Sequence, residues 1–328
     1  MIFINSSCKD PYINHAVEEY ILKYKDTDCF ILWRNRRSIL IGKNQNTLRE
    51  INLEYVKEKD IDVVRRVSGG GTVFCDLGNL NFTFITKKDS NFADFKGFTK
   101  PVINALKKLG VEAEFTGRND LTVEGKKFCG NAQYSYKNKV LHHGTLLFDA
   151  DLSDLVKALK SNPVKFKDKA IKSVSNRVTN IRKYLDEDMN VEEFKNCLIR
   201  LVMEEFNCRE FYELDEEEMQ KINEISEEKF STWQWTYGNS PKFQFFNEDK
   251  FKCGVVQISL SIKDGNISGI EINGDFFGKR EIDQLENILL GKKYEEENIL
   301  QVIKDVDISE YISDLTREQF MGLMFNYK

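Results

Sequence analysis

The sequence predicts an α+β fold, a mixed and largely antiparallel sheet with flanking helices, followed by a small α+β unit. Three observations lead there. Strand-like and helix-like stretches interleave without the regular βαβα alternation of a parallel sheet. Two turn dipeptides, Glu124-Gly125 and Asp264-Gly265, each sit between apolar runs, as antiparallel hairpins require. The charge also changes along the chain: residues 1–185 carry 32 Lys and Arg against 21 Asp and Glu, whereas residues 186–328 carry 16 against 32.

Taken in order, Ile2–Ile4 reads as a short strand. Pro11 and Asn14 lead into a helix whose Val17, Tyr20, Ile21 and Tyr24 recur at i, i+3, i+4 and i+7, one buried face. Cys29–Trp33 and Ser38–Ile41 are compact apolar runs, read as paired strands. Asn52–Lys59 is a short helix, and Asp62–Val64 a strand entering a Gly-rich turn. Asn81–Thr86 places Phe82 and Phe84 on one face of a half-buried strand. Gly97–Leu109 is a helix ended by Gly110. A hairpin spans Leu121–Phe128, a strand Val140–Phe148 and a helix Leu152–Leu159. Acidic helices follow at Val191–Phe206 and Glu216–Glu227, then an aromatic, loop-like stretch from Ser231 to Phe246. Val255–Ile262 and Ile267–Ile272 flank the second hairpin turn, and two or three helices close the chain. These readings divide the chain into 1–246 and 247–328.

A chain of 328 residues with 41% hydrophobic and 31% charged residues can bury a core and keep a polar surface. No apolar run approaches the ~20 residues of a membrane span. The start Met-Ile-Phe-Ile-Asn lacks a signal-peptide pattern, so a cytoplasmic protein is expected. None of the seven cysteines forms a Cys-x-x-Cys pair, so neither a zinc site nor a redox motif is signalled. The basic N-terminal half suits a nucleotide and an acidic partner protein. Nucleic acid is the rival reading, but no nucleic-acid motif or dense basic block is present.

Four stretches carry possible chemistry. Arg65-Arg66-Val67-Ser68-Gly69-Gly70-Gly71-Thr72 combines a flexible backbone, whose N–H groups can converge on an anion, with fixed positive charge. The plain alternative is a Gly-rich turn beside two solvated arginines; neither Walker nor dinucleotide spacing is present. Gly117-Arg118-Asn119-Asp120 precedes Lys126-Lys127, and Asn119 and Asp120 suit ribose, phosphate or Mg²⁺. Lys126 and Lys127 should point to opposite faces of their strand, as should His142 and His143, which therefore cannot chelate one metal together. Trp233-to-Phe243 reads as an aromatic packing seam. Cys129 lies near the two histidines in sequence, which leaves a Cys–His pair conceivable.

Together and in this order these segments resemble the lipoate–protein ligase family. Arg66 through Phe74 with Asp76-Leu77-Gly78-Asn79 is similar to its Gly-rich segment. Further segments match at Gly117–Asp120, Lys127-Phe128-Cys129-Gly130-Asn131-Ala132, His142-His143-Gly144-Thr145, and Lys172-Ser173-Val174 with Arg177-Val178-Thr179-Asn180. The resemblance spans nearly the whole chain. It implies a biotin/lipoate ligase-like fold related to class II synthetase cores, with a small accessory domain. It implies an ATP-dependent reaction in which lipoate becomes lipoyl-AMP and the lipoyl group passes to a lysine of an acceptor, an E2 lipoyl domain or the glycine-cleavage H protein. A monomer is implied.

By the same resemblance Lys127 is the catalytic lysine. Arg66, Ser68, Gly69, Gly70, Gly71, Thr72, Val73, Phe74, Gly78, Asn79, Asn119, Asp120, Gly130, His143 and Gly144 are expected to bind substrate or adenylate, with Asp120 the Mg²⁺ contact. Joining two anions at ~4 Å costs roughly 4 kcal/mol at an effective dielectric of 20, which a lysine between them offsets. Phe74, Phe82, Phe84 and Leu146 are candidate walls for the lipoyl chain or, equally, core residues, and residues 162–173 are a candidate cover. Cys75 stands where some relatives carry His and Cys129 where some carry Ser. Val140 occupies the place of the octanoyltransferase cysteine. The alternatives are a cysteine-dependent acyl transferase using Cys129 or Cys75, and a non-catalytic lipoate-binding regulator.

Overall fold

The structure is a computed structural model that describes residues 1–87, 94–159, 177–237 and 245–325. The candidate cover at 162–173, Lys172-Ser173-Val174 and residues 238–243 lie outside the described residues. Among the described residues no helix is long and apolar enough to cross a membrane.

The strands are β1 (Ile2–Asn5), β2 (Cys29–Trp33), β3 (Ser38–Ile41), β4 (Asp62–Arg65), β5 (Val73–Cys75), β6 (Asn79–Lys87), β7 (Glu114–Thr116), β8 (Asp120–Val123), β9 (Lys126–Tyr136), β10 (Lys139–Leu147), β11 (Phe245–Phe251), β12 (Gly254–Lys263) and β13 (Asn266–Gly274). The helices that matter below are α1 (Pro11–Tyr24), α2 (Thr47–Glu50), α3 (Leu53–Glu58), α4 (Phe95–Lys108), α5 (Leu152–Ala158), α6 (Val191–Glu205), α7 (Glu216–Ile225) and α8 (Trp233–Tyr237). Three further helices, Ile282–Leu289, Glu296–Val302 and Arg317–Phe325, pack on the last sheet.

Seven strands form the main sheet in the order β1-β2-β6-β10-β9-β8-β7, antiparallel except for the β1–β2 pair. A second sheet, β4-β3-β5, lies apart from it, and β11-β12-β13 makes a third. The hairpin turns follow their sequence signals. Glu124 and Gly125 have φ of 50° and 73°, and Asp264 and Gly265 have 49° and 76°, the positive pair that a tight two-residue hairpin needs. Lys137 turns β9 into β10 with φ 51°.

Capping fixes the helix starts. Asp10 accepts from the Tyr12 and Ile13 amides at 2.9 and 3.2 Å, and Pro11 takes the first helical position of α1. Capping boxes open α6 (Asn190 with Glu193) and α7 (Asp215 with Glu218).

Side-chain alternation divides the main sheet into two faces. Leu80, Phe82 and Phe84 look toward α4 and α6, where Val102, Leu106, Phe194 and Leu198 complete a core. Ile31, Trp33, Ile85 and Leu141 look toward α1 and meet Ala16, Val17 and Ile21. A further core holds the second sheet together with Ile51, Val56 and Ala158. The core of the last sheet is drawn from residues 253–324.

Several sequence expectations are corrected. Cys29–Trp33 and Ser38–Ile41 are not paired: β1 and β6 occupy both edges of β2, so β3 pairs instead with β4 and β5. The strand containing Asn81–Thr86 is buried on both faces over Asn79–Ile85, because helices cover each side. Tyr24 is exposed, having run past the end of the sheet-facing stripe. The stretch from Ser231 to Phe246 contains helix α8 and the start of β11.

Phe194 is fully buried and stacks on Phe148 with centroids 4.5 Å apart. Phe194→Ala is expected to lower the unfolding free energy by about 3–5 kcal/mol, read as a lower urea midpoint.

Candidate functional site

The site lies on the α1-facing side of the main sheet. Across β6 and β10, Asn81 opposes Thr145 and Thr83 opposes His143, so these four side chains share a face. Helix α1 lays His15 and Glu18, one turn apart, against them.

Glu18 is buried and accepts three hydrogen bonds, from His15 Nδ1 at 2.7 Å, His143 Nδ1 at 2.8 Å and Thr83 Oγ1 at 2.6 Å. Trp33 Nε1 in turn donates to Thr83 Oγ1 at 3.0 Å. Burial alone would raise the Glu18 pKa, but the two imidazoles hold it well below the usual carboxylate range. An ionised Glu18 requires a proton on each Nδ1. On its other side His143 Nε2 shares a hydrogen bond with the Ser68 hydroxyl at 2.6 Å. Ser68 Oγ accepts from Arg66 Nε at 3.1 Å. The Arg66 guanidinium continues to the carbonyls of Leu40, Gly69 and Gly71 at 2.7–2.9 Å.

One run of polar contacts thus ties α1 to the Gly-rich loop. Arg66 is a buried strut behind that loop, not a solvated charge. Arg65 similarly holds the carbonyls of Gly42, Lys43 and Gln45.

Under this arrangement lies a cavity of about 120 Å³. Its buried end is lined by His15, Trp33, Leu40, Asn81, His143 and Thr145. Gly70, Gly71, Thr72 and Val73 form one wall, with Arg66 behind them. Asn119, Lys127, Gly130, Asn131 and Gly144 line the remainder, where Lys127 is 41% exposed and marks the open end.

Lys127 Nζ pairs with Asp120 Oδ1 at 2.7 Å across the β8–β9 hairpin. Gly130 makes room for it: an added Cβ would sit 3.1 Å from that nitrogen. Gly70 has φ +89°, a conformation that favours glycine, and its N–H donates to the Phe276 carbonyl at 3.3 Å. Phe277 stacks under Arg118, with 4.8 Å between guanidinium carbon and ring centroid. The C-terminal residues therefore rest on both the Gly-rich loop and the Arg118 turn.

Not every expected residue reaches the cavity. Ser68 and Gly69 stand behind its wall. Phe74 belongs to the core of the second sheet. Gly78 accepts from the Phe148 and Asp149 amides, and Asn79 accepts from Asp76 N at 2.8 Å, so both build the turn before β6. Phe82, Phe84 and Leu146 face the opposite core, because the even-numbered positions of β6 and β10 point away from α1. His142 also points away and stacks on Phe98 at 5.0 Å. His15, Glu18, Trp33, Asn81 and Thr145 were not foreseen. The available signal was a pair of ionisable residues, His15 and Glu18, on the apolar side of α1.

The cysteines are poorly placed for acyl transfer. Burial pushes the Cys75 thiol up to about 12 and the Cys129 thiol up as well. Cys129 Sγ lies 3.7 Å from Gly130 O and from Asn131 Oδ1, and it faces Leu146 across the sheet. Among the described residues no group of three or more His, Cys, Asp or Glu converges as a metal site.

Comparison with known proteins gives consistent findings. Residues 10–202 match the lipoyl protein ligase A/B catalytic domain, and residues 240–324 the bacterial lipoate protein ligase C-terminus. The chain is 45% identical to the lipoate-protein ligase LplJ of Bacillus subtilis, over 99% of this chain and 100% of that protein. It superposes on P. falciparum LipL1 in complex with lipoate with a TM-score of 0.82 at 27% identity, covering 98% and 97% of the two chains. A lipoate-protein ligase A bound with ATP superposes with a TM-score of 0.61 at 28% identity, over 73% of this chain and 97% of that one.

The buried ionisable groups set a pH dependence. Burial lowers the pKa of His15 and His142, so the folded state keeps both neutral where an unfolded chain takes up protons. Their contribution is complete above the ordinary value of 6.5 and is lost as pH falls below it. Depression of Glu18 adds a loss below its ordinary 4.5. Stability should therefore decline from about pH 7 to about pH 5, and His142→Phe should flatten that decline by up to about 1.4 kcal/mol per pH unit. Urea titrations at both pH values measure it, and equal slopes for the two proteins would remove His142 from the account.

Proposed function

The chain belongs to the lipoate–protein ligase family, and on that premise we propose that its cavity joins lipoate to ATP as lipoyl-AMP and then passes the lipoyl group to an acceptor lysine. The observation that carries this reading is the position of Lys127. Its ammonium sits at the open end of a cavity whose other end is buried, beside a wall made of Gly70 and Gly71. A long acyl chain placed in that cavity brings its carboxylate to the lysine.

In the first step a carboxylate oxygen bonds to the α-phosphorus of ATP, and the bond to pyrophosphate breaks. Both reactants are anions, and the charge moves toward the bridging and leaving oxygens. A fixed ammonium beside them stabilises that charge without reorganising. Asp120 holds Lys127 in place before substrate arrives. In the second step the acceptor amine attacks the acyl carbon and AMP departs, so the same lysine faces the developing oxyanion and the leaving phosphate.

Gly70 and Gly71 offer backbone where a side chain would obstruct the nucleotide, and Arg66 with Ser68 keeps that loop in shape from behind. Asn119 is fastened to Asn131 by Asn131 Nδ2 donating to the Asn119 carbonyl at 3.0 Å, which holds it at the cavity where we propose the phosphates lie. Asp120 is the carboxylate that would meet a Mg²⁺ carried in by the nucleotide, an ion bound mainly through phosphates and water. Such an ion would neutralise phosphate charge. The partner we propose is a lipoyl-domain protein, of E2 or H-protein type, met by a monomer divided at 246–247.

Lys127→Ala should lose at least about a hundredfold in AMP release with lipoate and ATP, while the melting temperature stays close to wild type. The readout is mass spectrometry of an apo lipoyl domain incubated with each protein. Near-normal lipoylation by the variant would overturn the reading.

A further inference from the structure

The buried end of the cavity is more polar than an alkyl chain requires, and almost all of that polarity is internally paired. Thr145 Oγ1 donates to Asn81 Oδ1 at 2.7 Å, Trp33 Nε1 to Thr83, and Thr83 to Glu18. Two atoms stand outside this pairing. Asn81 Nδ2 and His15 Nε2 are buried and have no hydrogen-bond partner among the described residues.

Their chemical characters follow from their neighbours. Asn81 has committed its oxygen to Thr145, so its amide nitrogen is a spare donor. His15 gives its Nδ1 proton to Glu18, so its Nε2 is a spare lone pair. The ring cannot turn away, being edge-on to Trp33 at 5.3 Å and stacked on Phe230 at 5.9 Å. A buried polar atom left unpaired is costly and calls for an explanation.

We propose that Asn81 and His15 are specificity residues that favour a carboxylic acid whose chain ends in sulfur over one whose chain ends in plain alkyl. The inference rests on reading this cavity as the site for the acyl chain. A hydrocarbon terminus leaves both atoms unsatisfied. A dithiolane sulfur accepts, weakly, from Asn81 Nδ2. The reduced dithiol does the same and also gives an S–H to His15 Nε2. The polarisable sulfur suits the aromatic surroundings of Trp33 and His15 as well.

Isothermal titration of the full chain without ATP tests this with three acids: octanoate, oxidised lipoate, and dihydrolipoate kept reduced by a phosphine. Wild type should bind octanoate roughly tenfold more weakly than oxidised lipoate, the size of one modest polar contact. Asn81→Leu should bring that ratio close to one. The double variant Asn81→Leu/Thr145→Val, which leaves no stranded hydroxyl, should do the same. His15→Phe should abolish any extra affinity for the reduced form while keeping the preference for oxidised lipoate over octanoate.

Equal affinities for octanoate and lipoate in wild type would overturn the inference and leave the ligase reading intact. So would an unchanged ratio in the folded asparagine variants. Failure of both acids to bind would overturn the inference and the assignment of the cavity together.

Discussion

Glu18 is a carboxylate enclosed by protein, and an ion so placed survives only if donors converge on it. Three do, from three different elements: His15 on its own helix, Thr83 on β6 and His143 on β10. Each must keep its position for the charge to remain tolerable. Helix α1 is thereby fixed in rotation and in height above the sheet. The requirement passes outward through His143 and Ser68 to Arg66, whose guanidinium spans the carbonyls of the Gly-rich loop. A single buried charge thus sets the relative positions of the helix, two strands and the loop that walls the cavity.

The same arrangement separates two tasks that a surface site would mix. Arg65 and Arg66, for which the sequence offers either anion binding or solvent exposure, are used internally as braces for carbonyl groups. Among the described residues lining the cavity, Lys127 is the accessible cation, partnered by one partly exposed carboxylate. Chemistry therefore sits at the open end, where ligands must come and go. Rigidity sits at the buried end, where the position of an acyl chain is decided.

Much of this could be read from the sequence, for identifiable reasons. Turn dipeptides fix hairpins locally, so the turns at Glu124-Gly125 and Asp264-Gly265 stand where their residues demand. The clustering of Lys127, Asn119, Gly130 and the Gly-rich loop was legible only through the family resemblance, since each motif alone also fits a plain turn or charged hairpin. Pairing of Cys29–Trp33 with Ser38–Ile41 was misread because closeness in sequence does not reveal that both edges of β2 are already taken. Of the two roles left open for Phe82 and Phe84, cavity wall and core, the core is the one they fill. Alternation tells which residues share a face but not which face looks onto a ligand. Glu18 offered only the local signal of an ionisable residue on an apolar helix side, because the partner on which its burial depends, His143, lies 125 residues away.

His142 and His143 occupy one strand and live in different worlds, one among aromatic rings and the other on a buried carboxylate. What keeps them apart is parity, since the strand counts in twos. A slip of one residue in the register of β10 against β6 would turn both rings to the opposite faces and take His143 away from Glu18. A slip of two residues would spare this distinction. Pairing with β6 on one edge and β9 on the other therefore acts as a reading frame for the two histidines.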